Sequence, residues 1–371
     1  MKAGGDAFLC DYIYYNGEKC QEPAIEGSQF CVLHTPFPED TEDPEYQRLK
    51  EMKEKKAQEK VNSGDFNFEG AILYSFELPV ETNGDINFNR VQIIDDAKFS
   101  DAKIGGNAEF NGANIGGNAG FHSAEIGKWV YFSNAKIGGD AMFIFTKIGG
   151  DILSDGVEIR GNALFARAKI GGTLWFSCAK IGGYAWFDGT EIGGDALFRR
   201  NSFPDRVDLS PIHVMGIIDF KDTKFTSPKA QENACRAAKN SCIKFGDNHE
   251  ADNYFYREME GKRKQKPEFF RWSEYILVQL IFGYGVKPLR TFCVWFVVIL
   301  AFAGIYFNFQ TLDAGSEFIE YFYFSTTTAM TPGFGGYKIS PTWQWLALIE
   351  AFFGTFMWAA FITIFARKYM R

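Results

Sequence analysis

Isoleucine returns every eleven residues along the middle of this chain, at Ile93, Ile104, Ile115, Ile126, Ile137, Ile148, Ile159, Ile170, Ile181 and Ile192. A phenylalanine ladder of the same period runs in step. It occupies Phe88, Phe99, Phe110, Phe121, Phe132, Phe143, Phe165, Phe176, Phe187, Phe198 and Phe220, interrupted by Ser154 and Leu209. The isoleucine phase continues through Phe203, Val214 and Phe225, so the array spans about 85 to 225 without an insertion. A fixed short period demands a stack of equal units. Eleven residues also suit a right-handed helical supercoil. Glycine excludes that reading, because a Gly-Gly pair in almost every unit would cost a helix about 2 kcal/mol each time relative to alanine. Each unit instead reads as two short sides, A-x-F-x-x and A-K-I-G-G-D, with glycine where the chain bends. Alanine lies two residues before the large apolar residue in each side, so a period of two turns both inward.

These units resemble the A-(D/N)-(L/F)-x-x motif of the pentapeptide-repeat family, which implies a right-handed quadrilateral β-helix over 63–226. Every second unit has six residues, giving twenty-two per four-sided coil and about seven coils, with a degenerate start near "GDFNFEGAIL". His122 and Cys178 each stand alone and read as packing or surface residues. Lys103, Lys136, Lys147, Lys169 and Lys180 take the outward position before isoleucine, which argues against an acidic, DNA-like rod face. With a net charge of −7 the chain shows no bulk nucleic-acid signature, and no nucleic-acid partner is expected. A cytosolic protein or small ligand remains open as a partner of the rod.

Ahead of the repeat, residues 1–36 hold Cys10, Cys20, Cys31 and His34, spaced C-x9-C-x10-C-x2-H. The close pair at its end has metal-ligand spacing, and a segment with so few apolar residues needs a metal to supply folding energy. Structural Zn2+ is the leading expectation; a disulfide and unrelated thiols are the alternatives. The string resembles a small Cys3His zinc knuckle, which implies four protein ligands and no open catalytic position. The amino terminus lacks a basic region followed by an apolar core, so no cleavable signal is expected and this end is placed in the cytosol. Residues 37–62 read as a charged linker helix with i,i+4 Glu/Lys pairs, a solvated spacer without an apolar stripe to bury.

After the rod, 227–288 turns to helical periodicity. Ala234, Ala237, Ala238, Cys242 and Phe245 make one apolar face, "GDNHE" turns the chain, and Tyr254, Phe255 and Met259 mark a second helix. Cys235, Cys242 and His249 read as structural. The segment resembles the helical hairpin that follows the rod in membrane-attached pentapeptide proteins. "GKRKQK" just upstream of apolar sequence points to anionic headgroups.

The last region, 289–371, carries two apolar runs. Thr291 to Phe309 has no charge, and Trp343 to Phe365 has only Glu350; both exceed the roughly 18 residues that mark a bilayer span. Lys287 and Arg290 flank the first, and Arg367, Lys368 and Arg371 follow the second, whereas the loop between holds only Lys338. The positive-inside rule then leaves both termini cytosolic in a multi-pass protein of the cell membrane. Between the spans, 317–330 reads as a short pore helix and 331–336 as a glycine-rich strand. T-x-x-T-P-G-F-G from Thr328 resembles the filter of the simple two-span potassium channels, and "FGYGVKP" before the first span resembles the interfacial segment of pentapeptide-repeat channel proteins. This resemblance implies a homotetramer, since one chain supplies a quarter of a carbonyl ring. It implies filter residues Thr331, Pro332, Gly333, Phe334, Gly335 and Gly336, with K+ or another monovalent cation as permeant ion. Thr328, Glu350 and a hinge-like Gly354 are the implied pore supports. Pro332 stands where the family has valine or isoleucine and lacks an amide, and Gly336 stands where it has aspartate, so both usual braces of the filter are missing.

The expected function is a tetrameric cation channel with cytosolic β-helix rods as scaffold or gating domain. The alternative is a membrane-tethered interaction scaffold with a non-conducting pore. No nucleophile with a base, open metal site or phosphate loop suggests an enzyme.

Overall fold

The computed structural model describes residues 8–77, 79–203, 207–209, 211–313, 317–330 and 336–370. The chain divides into two units, Met1–Tyr254 and Phe255–Arg371.

Among the described residues, the first unit holds twenty-eight two-residue strands in four parallel sheets. The sheets run from Ile72–Leu73 to Lys224–Phe225, from Glu81–Thr82 to His213–Val214, from Ile86–Asn87 to Ile218–Asp219, and from Ala97–Lys98 to Val207–Asp208. Strands adjacent in a sheet are one coil apart, pairing Ile93 with Ile115 and Ile104 with Ile126. The result is a parallel β-solenoid of about seven coils with the expected twenty-two residues in each.

Alternation along the strands turns one side chain inward and the other outward, as Ile104 and Ala108 go in while Lys103 and Glu109 face out. The phenylalanines, buried just beyond the alanine strands, form two stacks that face each other. Phe99, Phe121, Phe143 and Phe165 follow one another at 4.9 to 5.0 Å, nearly parallel, and Phe110 meets Phe121 edge-on at 5.4 Å. Both geometries suit the aromatic quadrupole. Polar intrusions are satisfied locally: Thr146 Oγ1 donates to the Phe121 carbonyl at 2.6 Å and Asn201 Nδ2 to that of Phe176 at 2.6 Å. A ladder of Asx side chains ties coil to coil. Asp96, Asn118, Asp140 and Asn162 each accept the amide twenty-two residues on, at 2.6 to 2.8 Å.

The Gly-Gly pairs stand in bends, as expected, and serve a second purpose there. The Gly-Gly pairs have ordinary negative φ; the left-handed corners belong to other residues, among them Arg90, Asp101, Ser123, Asn134 and Phe145. Stacking is what excludes a side chain. A Cβ on Gly127 would lie 2.4 Å from the Gly105 carbonyl oxygen one coil below, and Gly138, Gly149, Gly171 and Gly193 repeat that collision.

Outward charges on the rod are paired at the coil spacing, Lys147 with Glu125 at 2.7 Å, Lys169 with Glu191 at 3.1 Å and Lys180 with Glu158 at 2.5 Å. Within these pairs acidic and basic side chains offset one another.

Helix α1 (Pro44–Asn62) corrects the spacer reading. It starts at an Asp43 cap with Pro44 in its first turn and buries Tyr46, Leu49, Lys53 and Ala57 on one face. A lysine inside that stripe disguised it. Lys53 Nζ donates to the carbonyls of Val32, Leu33 and Thr35 at 2.8, 3.1 and 2.7 Å, while burial pulls its pKa down to about 7.

At the other end α2 (Pro228–Lys244) buries Ala234, Cys235, Ala238 and Cys242, whereas Phe245, expected on the same face, is exposed. It closes the last strand edge. Ile218 N donates to Ser241 Oγ at 3.2 Å and Phe220 N to the hydroxyl of Tyr254 at 2.8 Å, so amides with no further coil to meet still find acceptors. Tyr254 lies on α3 (Asn248–Lys264).

The second unit continues through α4 (Glu268–Glu274), a π-helical stretch Tyr275–Leu280 and a tight turn Gly283–Gly285 into α5 (Pro288–Asn308), α6 (Phe318–Met330) and α7 (Gln344–Tyr369). Helices α5 and α7 are long and apolar enough to cross a bilayer. The basic run before them has acidic partners of its own: Lys262 with Glu258 at 2.8 Å, Lys264 with Glu260 at 3.2 Å, and Lys266 with Glu274 at 2.5 Å. Its attraction for headgroups is therefore less than its sequence suggests, and the exposed Phe269, Phe270 and Trp272 of α4 present the apolar surface there.

Candidate functional site

Two constellations carry chemistry, one in each unit. The first is built by short turns. A hairpin bridges Ile13 with Lys19 around the Asn16-Gly17 turn, and a second bridge joins Leu9 to Pro23, which brings Cys10 and Cys20 together. A helical turn, with Thr35 N donating to the Cys31 carbonyl at 3.0 Å, puts Cys31 and His34 on the same side. The four ligand atoms of Cys10, Cys20, Cys31 and His34 lie within 4.8 Å of one another, all buried. His34 Nδ1 sits 3.3 Å from Cys10 Sγ and 3.2 Å from Cys31 Sγ. Tetrahedral zinc with sulfur at about 2.3 Å and nitrogen at about 2.0 Å sets ligand edges near 3.5 Å, so the donor set fits a metal of that kind. His34 Nε2 donates to the Glu69 carbonyl at 3.0 Å, which leaves Nδ1 as the lone-pair nitrogen. Burial lowers the His34 pKa and pushes the Cys31 thiol up to about 12, so a metal entering here would displace protons. Three thiols and an imidazole can hold a metal ion.

In the second unit three helices meet around a carboxylate. Glu350 of α7 is 1% exposed and accepts from the hydroxyl of Tyr306 on α5 at 2.8 Å and from Ser325 Oγ on α6. Neither partner was visible in the sequence, since they lie 44 and 25 residues away. Gly354 of α7 crosses α6 closely: a Cβ there would lie 2.5 Å from Ala329 Cα. Close packing accounts for this glycine without a hinge. Thr328 is buried near the end of α6, and its hydroxyl has no partner among the described residues.

Helix α6, at about 1.5 Å per residue, is near 20 Å long and too short to span roughly 30 Å of hydrocarbon. The chain returns to where it entered. Leu312 bridges Ile339, Asp313 N donates to the Lys338 carbonyl at 2.9 Å and Ser340 N to that of Thr311 at 2.9 Å. The segment between the long helices is thus a closed loop. Of the expected filter, Thr331, Pro332, Gly333, Phe334 and Gly335 lie outside the described residues, and Gly336 occupies an exposed turn at φ +84°. Basic residues gather at the opposite end of the long helices. Lys287 Nζ lies 4.0 Å over the Tyr256 ring, Arg290 Nη1 donates to the Gln279 carbonyl at 3.1 Å, and Arg367 lies 5.8 Å over Phe255.

Residues 294–371 match the family model described as Ion channel, and the β-solenoid ahead of them is consistent with pentapeptide repeats. No curated protein and no solved structure matches the chain.

Proposed function

We propose that the chain is one subunit of a homotetrameric, potassium-conducting cation channel, with the β-solenoid as a cytosolic scaffold or gating domain. The observation that supports this most is the closed, sub-bilayer loop between two apolar helices, inside a segment that matches an ion-channel family. Backbone that is not helical at membrane depth is tolerated where it lines a wet path. The carbonyls of Thr331, Pro332, Gly333 and Phe334, with the Thr331 hydroxyl, would replace the water shell of a dehydrated cation, followed by Gly335 and Gly336. Thr328, Glu350 and Gly354 support the pore from behind. Clustered basic residues at one end of α5 and α7 support a cytosolic position for both termini.

The amino-terminal cluster holds structural Zn2+ through Cys10, Cys20, Cys31 and His34. Four protein ligands leave no open position for a substrate, so the metal supplies folding energy alone.

Purified protein in liposomes should pass potassium, read as ion flux driven by a concentration gradient. Absence of any cation flux from assembled tetramers would overturn the channel and leave a tethered scaffold. The double variant Pro332→Val with Gly336→Asp, which restores an amide and a charge beside the filter, should raise potassium preference over sodium.

A further inference from the structure

The metal cluster is built against the first coils of the solenoid. His34 Nε2 reaches the Glu69 carbonyl at 3.0 Å, and Ile72 N, the first amide of the first strand, donates to the Leu33 carbonyl at 2.8 Å. Leu33 lies between two ligands. Tyr12, two residues after Cys10 and accepting the Cys20 amide at its carbonyl at 2.8 Å, stacks on His34 with ring centroids 4.0 Å apart. The same ring presses on Gly70, where a Cβ would come within 2.0 Å of Tyr12 Cζ and φ is +69°. Glu69 is 5% exposed, and its carboxylate accepts from Tyr15 N at 2.6 Å, from Asn87 Nδ2 at 3.2 Å and from Arg90. Arg90 Nη2 also approaches the Ile13 carbonyl at 3.4 Å, and its guanidinium lies 5.5 Å over the Tyr12 ring.

These contacts form a ring: solenoid carboxylate to Arg90, Arg90 to Tyr12, Tyr12 to His34, His34 back to the carbonyl of Glu69. We infer that the amino-terminal module is a metal-dependent end cap of the β-solenoid, with Glu69, Gly70 and Arg90 acting as positioning residues for the ligand set. This rests on the reading that the Cys3His cluster binds zinc. Metal fixes the turn that offers Leu33 O to the strand edge, and the strand edge fixes the histidine that the metal takes. Such coupling is reciprocal, so disturbing the solenoid side weakens metal binding as much as metal removal loosens the first coil. The edge left open by an unloaded cap would expose Ile72 N and the buried Phe66 and Phe68, a template for unwanted pairing.

The test uses full-length protein in nanodiscs, with zinc content by elemental analysis, zinc affinity by chelator competition and amide hydrogen exchange. Gly70→Ala and Arg90→Gln keep all four ligands, and each should weaken zinc affinity about 10- to 100-fold, as outer-shell changes do elsewhere. Arg167→Gln, at a corner residue remote from the cap, should leave it unchanged. Chelation should speed exchange at Ile72 and leave Gly171 and Gly182 protected. Stoichiometric zinc with unaltered affinity in both variants, or with Ile72 indifferent to chelation, would overturn the coupling and leave the metal reading intact. No zinc bound by the wild type even after zinc addition would overturn the metal reading itself. Arg90→Gln, a change at a half-exposed side chain, keeps the test decisive where Gly70→Ala fails to fold.

Discussion

At the scale of single residues, this chain is governed by close approach. Gly127 and Gly354 have unremarkable backbone angles, yet each faces another backbone at a distance that leaves no room for a methyl. Gly127→Ala must push neighbouring coils apart, and a local loss of about 1 to 3 kcal/mol is expected from overpacking. Thermal unfolding and exchange in the flanking coils would measure it; a neutral result would show that the stack yields. Gly354→Ala should separate α6 from α7 with a loss of the same order and, under the proposed channel function, reduce ion flux. Glu350 lives by a different rule. Replacing it with alanine leaves the buried hydroxyl of Tyr306 without its acceptor, at about 1 to 3 kcal/mol, while Ser325 Oγ still has the Ile299 carbonyl at 2.9 Å. Glu350→Gln keeps an acceptor and should lose less, so the order wild type, Gln, Ala in thermal stability checks the clasp.

At the scale of elements, the legible regions are those whose signal is periodic. The ladders of Ile and Phe gave coil length and inward face because the solenoid repeats one environment. Helix α1 looks solvated in sequence because its buried stripe includes Lys53, whose stem packs while its ammonium finds three carbonyls. The metal ligands were legible from spacing within 25 residues. Their supports were not, since Glu69 and Arg90 reach the module only through coil stacking. The closing hairpin shows the same limit at Asp219. Burial would raise its pKa, but hydrogen bonds from the Tyr254 hydroxyl at 2.8 Å and Arg199 Nε at 2.5 Å outweigh it and hold the carboxyl below its ordinary value. A depressed folded pKa contributes stability that is complete above the unfolded value and lost as pH falls through the folded one. Acidification below about pH 4 should therefore open the last coil first, seen as faster exchange at Phe220. Tyr254→Phe should cost about 1.5 to 3 kcal/mol at neutral pH, the range for a hydrogen bond to a charged group, and flatten the acid dependence.

At the scale of the molecule, the two units have separate cores. One hydrophobic cluster runs from Cys10 to Tyr254 through the whole solenoid, while the clusters around Tyr306 and Trp295 draw only on residues of the second unit. The solenoid's core is continuous, so its coils unfold as neighbours in a row and are most exposed at their ends. The second unit is held by three helices around Glu350 and Gly354, and α5 and α7 expose large apolar side chains, among them Val297, Leu348 and Phe352, that suit lipid. Independent cores imply independent transitions. Calorimetry of the full chain in nanodiscs should resolve a pair of them, and chelation of zinc should lower the one that exchange data assign to the solenoid while leaving the other in place. Under the proposed channel function, ion flux measured at a temperature below both should then survive chelation in amplitude, since none of the four candidate ligands belongs to the second unit. A change in flux without a shift of the pore transition would assign the solenoid to gating in preference to scaffolding, because only a signal passed between folded units alters conduction while both remain folded.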